Sequence, residues 1–119
     1  MAAHNELGRI GENLALEYLR GKGYMLRDRN WRYQHLEIDL VMAYENTVIF
    51  VEVKTRANED LLEAVTAVNK KKIHRLLRVS NMYIQLFQLD CDIRFDIITV
   101  VGKDYNNMDI KHFENAFEP

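Results

Sequence analysis

The chain has 119 residues, of which 16 are Lys or Arg and 18 are Asp or Glu, so its formal net charge at pH 7 is −2. This length predicts one domain over residues 1–119, because it allows one hydrophobic core and is too short for two ordinary ones. The charge excludes a strongly basic nucleic-acid-binding protein. Any contact with nucleic acid would therefore depend on local basic patches.

The first predicted element is an amphipathic helix over residues 5–20, with Asn5 as a candidate N-cap. Its helical spacing is carried by apolar residues that fall near one side, namely Leu7, Ile10, Leu14 and Tyr18. Gly8, Gly11 and Ala15 form a strip of small residues that would let the helix approach a sheet closely. Glu12 lies beside this strip, either as a site carboxylate or as an ordinary exposed helix residue.

Residues 24–33 predict an edge strand that is polar and basic on one side. Arg27, Arg29 and Arg32 are candidates for contacts with phosphate groups. Trp31 and Tyr33 either stack on bases or pack in the core, and both interpretations stay open.

Residues 36–56 predict a hairpin, because two runs rich in Val, Ile, Phe and Tyr flank the polar residues 45–47. The continuous apolar run 48–51 is typical of a strand that is covered on both faces. Together the two runs would form one antiparallel pair.

Charged residues lie where these apolar strands end. Residues two apart in a strand share a face, which pairs Glu37 with Asp39 on one strand and Glu52 with Lys54 on the next. Charges beside a buried strand are costly unless they are paired or bound to a metal. Carboxylates of this kind suit Mg²⁺ or Mn²⁺. Any one of these residues, taken singly, is more typical of a solvated strand position, and the metal-site hypothesis depends on their combination.

The second half of the chain predicts a loop at 57–62 over the mouth of the site, a long helix, and a strand at 92–101. The helix carries a basic cluster that is either a phosphate-binding surface or a solvated face. Arg94 and Asp96 share a face of the last strand and either brace the site or pair with each other. The tail is expected to pack on the sheet through Ile110, Phe113, Ala116 and Phe117.

The element order is therefore helix, three strands, helix, strand and a short terminal piece, an α/β core with a mixed sheet. No apolar run approaches the roughly 20 residues of a membrane span, and the first residues lack the apolar core of a secretion signal. The single cysteine, Cys91, has no partner for an internal disulfide. We expect a cytoplasmic protein without a membrane contact.

Asp39, followed by Glu52-Val53-Lys54, resembles the PD-(D/E)xK signature of restriction-endonuclease-like nucleases, which include archaeal Holliday-junction resolvases. A longer set of motifs is similar to the YraN-like family of small predicted nucleases, namely Gly11-Glu12, Glu37-Ile-Asp-Leu-Val41, Phe50-Val-Glu-Val-Lys-Thr-Arg56 and Arg94-Phe-Asp96. This similarity covers nearly the whole chain. Leu36 departs from the family pattern, which usually has a glycine there.

The resemblance implies a restriction-endonuclease-like fold and a metal-dependent endonuclease that hydrolyses phosphodiester bonds in DNA, with branched or junction DNA as one candidate substrate. Asp39 and Glu52 would then ligate Mg²⁺ or Mn²⁺ with help from the Val53 carbonyl. Glu12 would orient a ligand water or a second ion, and Lys54 would position the attacking water. Glu37 would support Asp39 without being a ligand.

Nucleic-acid contacts are predicted at five basic residues, namely Arg32, Arg56, Lys72, His74 and Arg75. A homodimer with two sites is a candidate assembly, since structural relatives that cut branched DNA act as dimers. The rival hypothesis is a non-catalytic nucleic-acid-binding or interaction module that retains the nuclease fold. A third is a nuclease that acts on RNA or a small nucleotide.

Overall fold

The computed structural model describes residues 6–60 and 70–118. The helices are α1 (Glu6–Gly21) and α2 (Lys70–Leu86), and the strands are β1 (Met25–Tyr33), β2 (Leu36–Tyr44), β3 (Thr47–Arg56), β4 (Asp92–Val101) and β5 (Asp109–Phe113). The described strands form one sheet in the order β1-β2-β3-β4-β5. All neighbours are antiparallel except β3 and β4, which are parallel. The predicted element order and mixed sheet are confirmed.

Two predicted elements differ from the structure, the terminal piece and the loop at 57–62. The terminal piece is itself a strand, β5, because it pairs with β4 from Ile97–Phe113 to Val101–Asp109. The loop predicted at 57–62 is wrong in its centre, because Glu59 and Asp60 are helical; its last two residues and the proposed Asn5 cap lie outside the described residues. None of the helices within the described ranges is long and apolar enough to cross a membrane.

The sheet is covered on both faces, so β3 is buried from two sides. Under α1 the core contains Ala15, Leu19, Leu40, Met42, Ile49, Val51, Ile98 and Val100. Under α2 it contains Ile38, Val41, Val48, Phe50, Val79, Tyr83 and Phe95. Since alternate residues of the run 48–51 belong to opposite clusters, the prediction of a strand covered on both faces is confirmed. This places the charged end of β3 between two helices.

Helix α1 lies unusually close to β3 because its contact face lacks large side chains. Gly11 and Ala15 are buried, and a Cβ at Gly11 would overlap the side chain of Thr55 on β3. The predicted strip of small residues is therefore the contact surface at these two positions. The close approach also fixes the level along β3 at which Glu12, the next residue of the helix, meets the sheet.

Replacing Gly11 by alanine is expected to destabilise the fold by about 1–3 kcal/mol, because overpacking at this contact exceeds the gain of about 1 kcal/mol in helix propensity. Urea unfolding measures the effect. The matched control is Gly21→Ala, where an added Cβ would meet no atom within 4 Å. Equal unfolding midpoints for the two variants would contradict a tight α1–β3 contact.

The C-terminal strand is fastened by a buried ion network on β4. Arg94 donates to both carboxylate oxygens of Asp96 at 2.9 and 2.8 Å, and His112 of β5 lies 2.7 Å from Asp96 Oδ2. The expected pairing of Arg94 with Asp96 is confirmed. Phe117 stacks on Phe95 with ring centroids 5.2 Å apart, as expected of the tail. Phe113 is 48% exposed, so the expectation that it packs on the sheet is wrong.

Candidate functional site

The alternation of side chains between the two faces of the sheet is interrupted in β2 at Asp39. Ile38 packs in the core under α2, yet Leu40 packs under α1, so the regular alternation is interrupted between them. The β2–β3 pairing runs from Tyr44–Thr47 to Leu40–Val51 and ends one residue before Asp39 and Glu52. The two strands therefore diverge at the positions where the sequence predicts a site.

A side chain replaces the missing ladder bond at this divergence. Asp39 Oδ2 accepts a hydrogen bond of 2.9 Å from the backbone N–H of Val53. This bond fixes the carboxyl group of β2 against the Glu52-Val53-Lys54 segment of β3. The predicted acid and the predicted Glu-x-Lys segment are thus brought together.

Glu52 and Lys54 are buried, with exposed fractions of 6% and 5%. Lys54 Nζ lies 3.9 Å from Glu52 Oε2, and Lys72 of α2 brings its ammonium group within 2.5 Å of the same oxygen. Within the described part of the chain this oxygen accepts no regular hydrogen bond. Glu52 is therefore a buried carboxylate whose Oε2 is compensated by the charges of two ammonium groups.

The charges of the site act strongly on Asp39. Burial, first, and the negative charge of Glu52, second, raise the pKa of the Asp39 carboxyl group well above its ordinary value. The charge of Glu12 raises this pKa further, whereas the Val53 hydrogen bond and the charge of Lys72 lower it. The ionised carboxylates thus repel one another, and a bound cation would relieve that repulsion.

The pKa of Lys54 is also shifted, but it is lowered. Burial lowers the pKa of its ammonium group, and the attraction of Glu52 only partly offsets this effect. The positive charges of Lys72 and Arg56 lower the pKa further. A cavity of about 50 Å³ beside Lys54 and Glu52 has apolar walls formed by Ile73, Leu76, Ile97 and Phe117. Perturbed acids and bases that share one location are typical of functional sites.

Glu12 reaches the same region from α1 and is 6% exposed, so the interpretation as a solvated helix residue is wrong. Its Oε1 accepts a hydrogen bond of 2.8 Å from Arg29 Nε, and its Oε2 accepts one of 3.1 Å from Asn30 Nδ2. Glu37 accepts a bond of 3.0 Å from the same Asn30 nitrogen and pairs with Arg32 at 3.0 Å. Both glutamates are thus held by β1.

A cleft of about 530 Å³ opens beside the acids. It is lined by Arg32, Gln34, His35, Leu36, Glu37, Glu52, Lys72, Arg75 and Leu76. Three of the five predicted nucleic-acid contacts, Arg32, Lys72 and Arg75, therefore surround the buried end of β3. Positive charge lies on the rim of the cleft and negative charge lies deeper.

The other two predicted contacts lie elsewhere. His74 lines an adjacent groove on α2 together with Arg75, Leu77, Arg78 and Asn81. Arg56 is outside the described lining of both depressions, and its guanidinium group donates to the Thr55 carbonyl at 2.6 Å. Because Arg75 borders both the cleft and the groove, the basic surface continues from one to the other. Arg78, which also lines the groove, is part of that surface.

Sequence reasoning missed the role of β1 in this site. Arg29 was expected to contact phosphate, but it pairs with Glu12. Asn30 had no assigned role, although asparagine is disfavoured inside a strand, and that anomaly was the available signal. The turn residues Gln34 and His35 had no signal of their own, because their place in the cleft follows from the fold.

The acidic side chains of the site are the candidate ligands for a divalent ion. Among residues 6–60 and 70–118, no three His, Cys, Asp or Glu side chains form a group that would hold a metal as they stand. Asp39 and Glu52 nevertheless fit a hard cation, because Asp39 is destabilised by neighbouring acids and Glu52 Oε2, among the described residues, meets the Lys72 ammonium group without a regular hydrogen bond. The Val53 carbonyl belongs to the residue that directly follows Glu52 in the chain. Glu12 is engaged by Arg29 and Asn30.

Comparison with known proteins identifies the family. Residues 11–100, which include Glu12, Asp39, Glu52 and Lys54, match the uncharacterised protein family UPF0102. A UPF0102 protein of Bacteroides thetaiotaomicron is 50% identical over 119 residues, which is 100% of this chain and 98% of the relative. UPF0102 protein FP2501 of Flavobacterium psychrophilum is 44% identical over 117 residues, with 98% of each chain covered. The chain therefore belongs to the UPF0102 family.

Proposed function

We propose that this protein is a divalent-metal-dependent nuclease that hydrolyses phosphodiester bonds in DNA. The observation that carries the proposal is the divergence of β2 and β3, which brings Asp39 against the Glu52-Val53-Lys54 segment. The pKa of Asp39 is raised there and the pKa of Lys54 is lowered, each first by burial. Buried groups of both signs are costly to a fold, and a catalytic role accounts for that cost.

The charge pattern of the cleft supports a phosphodiester substrate. Arg32, Lys72 and Arg75 line it together with Glu37 and Glu52. A nucleic-acid strand carries a phosphate at every nucleotide, so phosphates that flank the reacting one would bind the basic rim. The resemblance to junction resolvases makes branched DNA one substrate class to test, and a homodimer would offer two clefts to one junction.

The chain would hold the metal through Asp39, Glu52 and the Val53 carbonyl. When bound there, Mg²⁺ or Mn²⁺ supplies Lewis-acid stabilisation of the phosphoryl oxygens and lowers the pKa of a bound water. Asp39 is fixed for this role by its 2.9 Å bond to the Val53 N–H. Glu12 contributes negative charge from α1, and Arg29 and Asn30 hold its carboxylate in place.

Lys54 is the residue that would act on water and on the phosphate. Its buried ammonium group can orient the attacking water and can stabilise the charge that develops on the phosphorus oxygens. The lowered pKa makes its ammonium group a stronger proton donor than an ordinary lysine, which suits a group that contacts water. Lys72, which pairs with Glu52 and lines the cleft, would contribute its positive charge to binding of the substrate phosphate.

A non-catalytic nucleic-acid-binding module is the second candidate, and one contact favours it. Lys72 already neutralises Glu52, so the site is electrostatically compensated without a metal ion. A protein of this kind would use the basic rim of the cleft to bind DNA and would leave the phosphodiester intact. The two candidates differ in whether the protein cleaves DNA, and a nuclease would need Glu52 for that cleavage.

The test incubates the purified protein with labelled duplex, single-stranded and four-way-junction DNA in Mg²⁺, in Mn²⁺ and in EDTA. We expect metal-dependent cleavage by the wild type and a loss of at least about 100-fold in Glu52→Gln, which exceeds the usual cost of losing a residue that only supports a ligand. Glu17→Gln, an exposed change on α1, is the matched control and should cleave normally. DNA binding without cleavage by all three proteins would support the module instead.

A further inference from the structure

Asn30 has a backbone conformation that is unusual for its place in the fold. Five described residues other than glycine have positive φ, and Asn30, with φ of 52°, is the one that lies inside a strand. The others, Gln34, Glu45, Gln88 and Asn115, follow the ends of strands or helices. A left-handed conformation costs energy for any residue with a Cβ and persists where the surrounding structure requires it.

The position of Asn30 in the sheet explains what its conformation achieves. Arg29 pairs with Leu40 and Trp31 pairs with Ile38, so Asn30 lies between these pairs, opposite Asp39. Arg29 contacts Glu12 of α1, whereas Trp31 packs in the core under α2. Strand β1 therefore changes faces at Asn30, at the same level at which β2 changes faces at Asp39.

The side chain of Asn30 connects two carboxylates from different elements. Its Nδ2 group donates to Glu12 Oε2 on α1 at 3.1 Å and to Glu37 Oε2 on β2 at 3.0 Å. An amide nitrogen has two hydrogens, and both are used here. One planar group thus fixes Glu12, whose charge acts on Asp39, relative to Glu37, which lies two residues from Asp39 on β2.

Charge compensation does not explain this bridge. Glu12 already pairs with Arg29 at 2.8 Å, and Glu37 already pairs with Arg32 at 3.0 Å. The neutral amide adds direction rather than charge, because its two N–H bonds lie in one plane at a fixed angle. Groups that support a metal ligand affect how tightly the metal binds, and their orientation is part of that support.

We propose that Asn30 is a positioning residue that holds Glu12 and Glu37 around Asp39 and so sets the affinity of the site for a divalent cation. The proposal rests on the proposed function, since it assigns Asn30 to the same metal-binding site. It predicts that loss of the amide weakens metal binding without weakening the fold.

The experiment is a calorimetric titration of the Asn30→Gly protein with Mn²⁺. Glycine adopts positive φ without strain, so the variant keeps the backbone and removes only the side chain. We expect Mn²⁺ binding to weaken by about 10- to 100-fold, with no fall in the thermal midpoint measured in EDTA. A purely structural role would instead lower the midpoint and leave the affinity unchanged.

The matched control is Asn115→Gly, which makes the same change at a φ of 51° in an exposed position after β5. Its Mn²⁺ affinity should equal that of the wild type. Equal affinity in Asn30→Gly and in the wild type would overturn the assignment of Asn30 while leaving the proposed nuclease intact. A wild-type protein that binds no Mn²⁺ would overturn both.

Discussion

Replacing Asp39 by asparagine is expected to abolish metal-dependent cleavage and, in EDTA, to raise the midpoint of thermal unfolding. Asparagine keeps an oxygen that can accept the Val53 N–H bond, so the local geometry is preserved. It removes a charge that the native state disfavours, first through burial and then through repulsion by Glu52. The cleavage rate should fall by more than the roughly 10- to 100-fold that follows loss of a residue that only supports a ligand.

The stability effect depends on pH with a definite sign. The pKa of Asp39 is raised in the folded state, so folding favours the protonated form, and stability falls as pH rises from the ordinary aspartate value through the raised value. The Asp39→Asn protein does not lose stability in this way, because its side chain does not ionise. Its advantage in EDTA should therefore be larger at pH 8 than at pH 5, and about 1 kcal/mol corresponds to a midpoint shift of about 4 °C for a domain of this size.

With added Mn²⁺, the thermal midpoint of the wild type should become higher than that of Asp39→Asn. A ligand that binds only the native state stabilises it by mass action, so the wild-type midpoint should rise with Mn²⁺ concentration. Asp39→Asn should show little rise. The control is Asp109→Asn, an exposed change in β5 that should follow the wild type throughout. Equal responses to Mn²⁺ in all three proteins would contradict a metal site at Asp39.

The fold was predictable because its signals are local and repetitive. The apolar run 48–51 indicated a strand buried on both faces, and Gly11 and Ala15 indicated a close helix contact. Both patterns follow from residue size and from the periods of helix and strand. The resemblance added the placement of Asp39 beside Glu52 and Lys54, and the register of β2 and β3 agrees with that placement.

The site was less predictable because it lies where the regular alternation of strand residues is interrupted. Alternation rules assume a regular pleat, but β1 and β2 change faces together at Asn30 and Asp39. Arg29 is consequently directed to Glu12 rather than to solvent. The pairing of Lys72 with Glu52 depends on how α2 packs against β3, which no local pattern contains. Sequence patterns located the acids but not the residues that hold them.

Replacing Asp96 by alanine is expected to destabilise the protein by about 3–5 kcal/mol, a large share of the roughly 5–15 kcal/mol that stabilises a typical domain. Asp96 is fully buried and accepts hydrogen bonds from Arg94 and from the backbone N–H of Asn115, with His112 Nε2 at 2.7 Å. Its removal leaves the Arg94 guanidinium group without its principal partner and removes the side-chain contacts with His112 and Asn115 that reinforce the β4–β5 pairing. Urea unfolding at pH 7 measures the loss.

The wild type should show the same network in its response to acid. Burial acts to raise the pKa of Asp96, but hydrogen bonds from His112, Arg94 and Asn115 outweigh it, so the pKa is lowered in the folded state. Its stabilisation is therefore complete above the ordinary aspartate value of about 4 and is lost as pH falls further through the lowered value. Asp92→Ala, an exposed change at the start of β4, should leave both the pH 7 stability and the acid transition unchanged. If Asp96→Ala unfolds at the same urea concentration as Asp92→Ala, the network does not hold β5 in place.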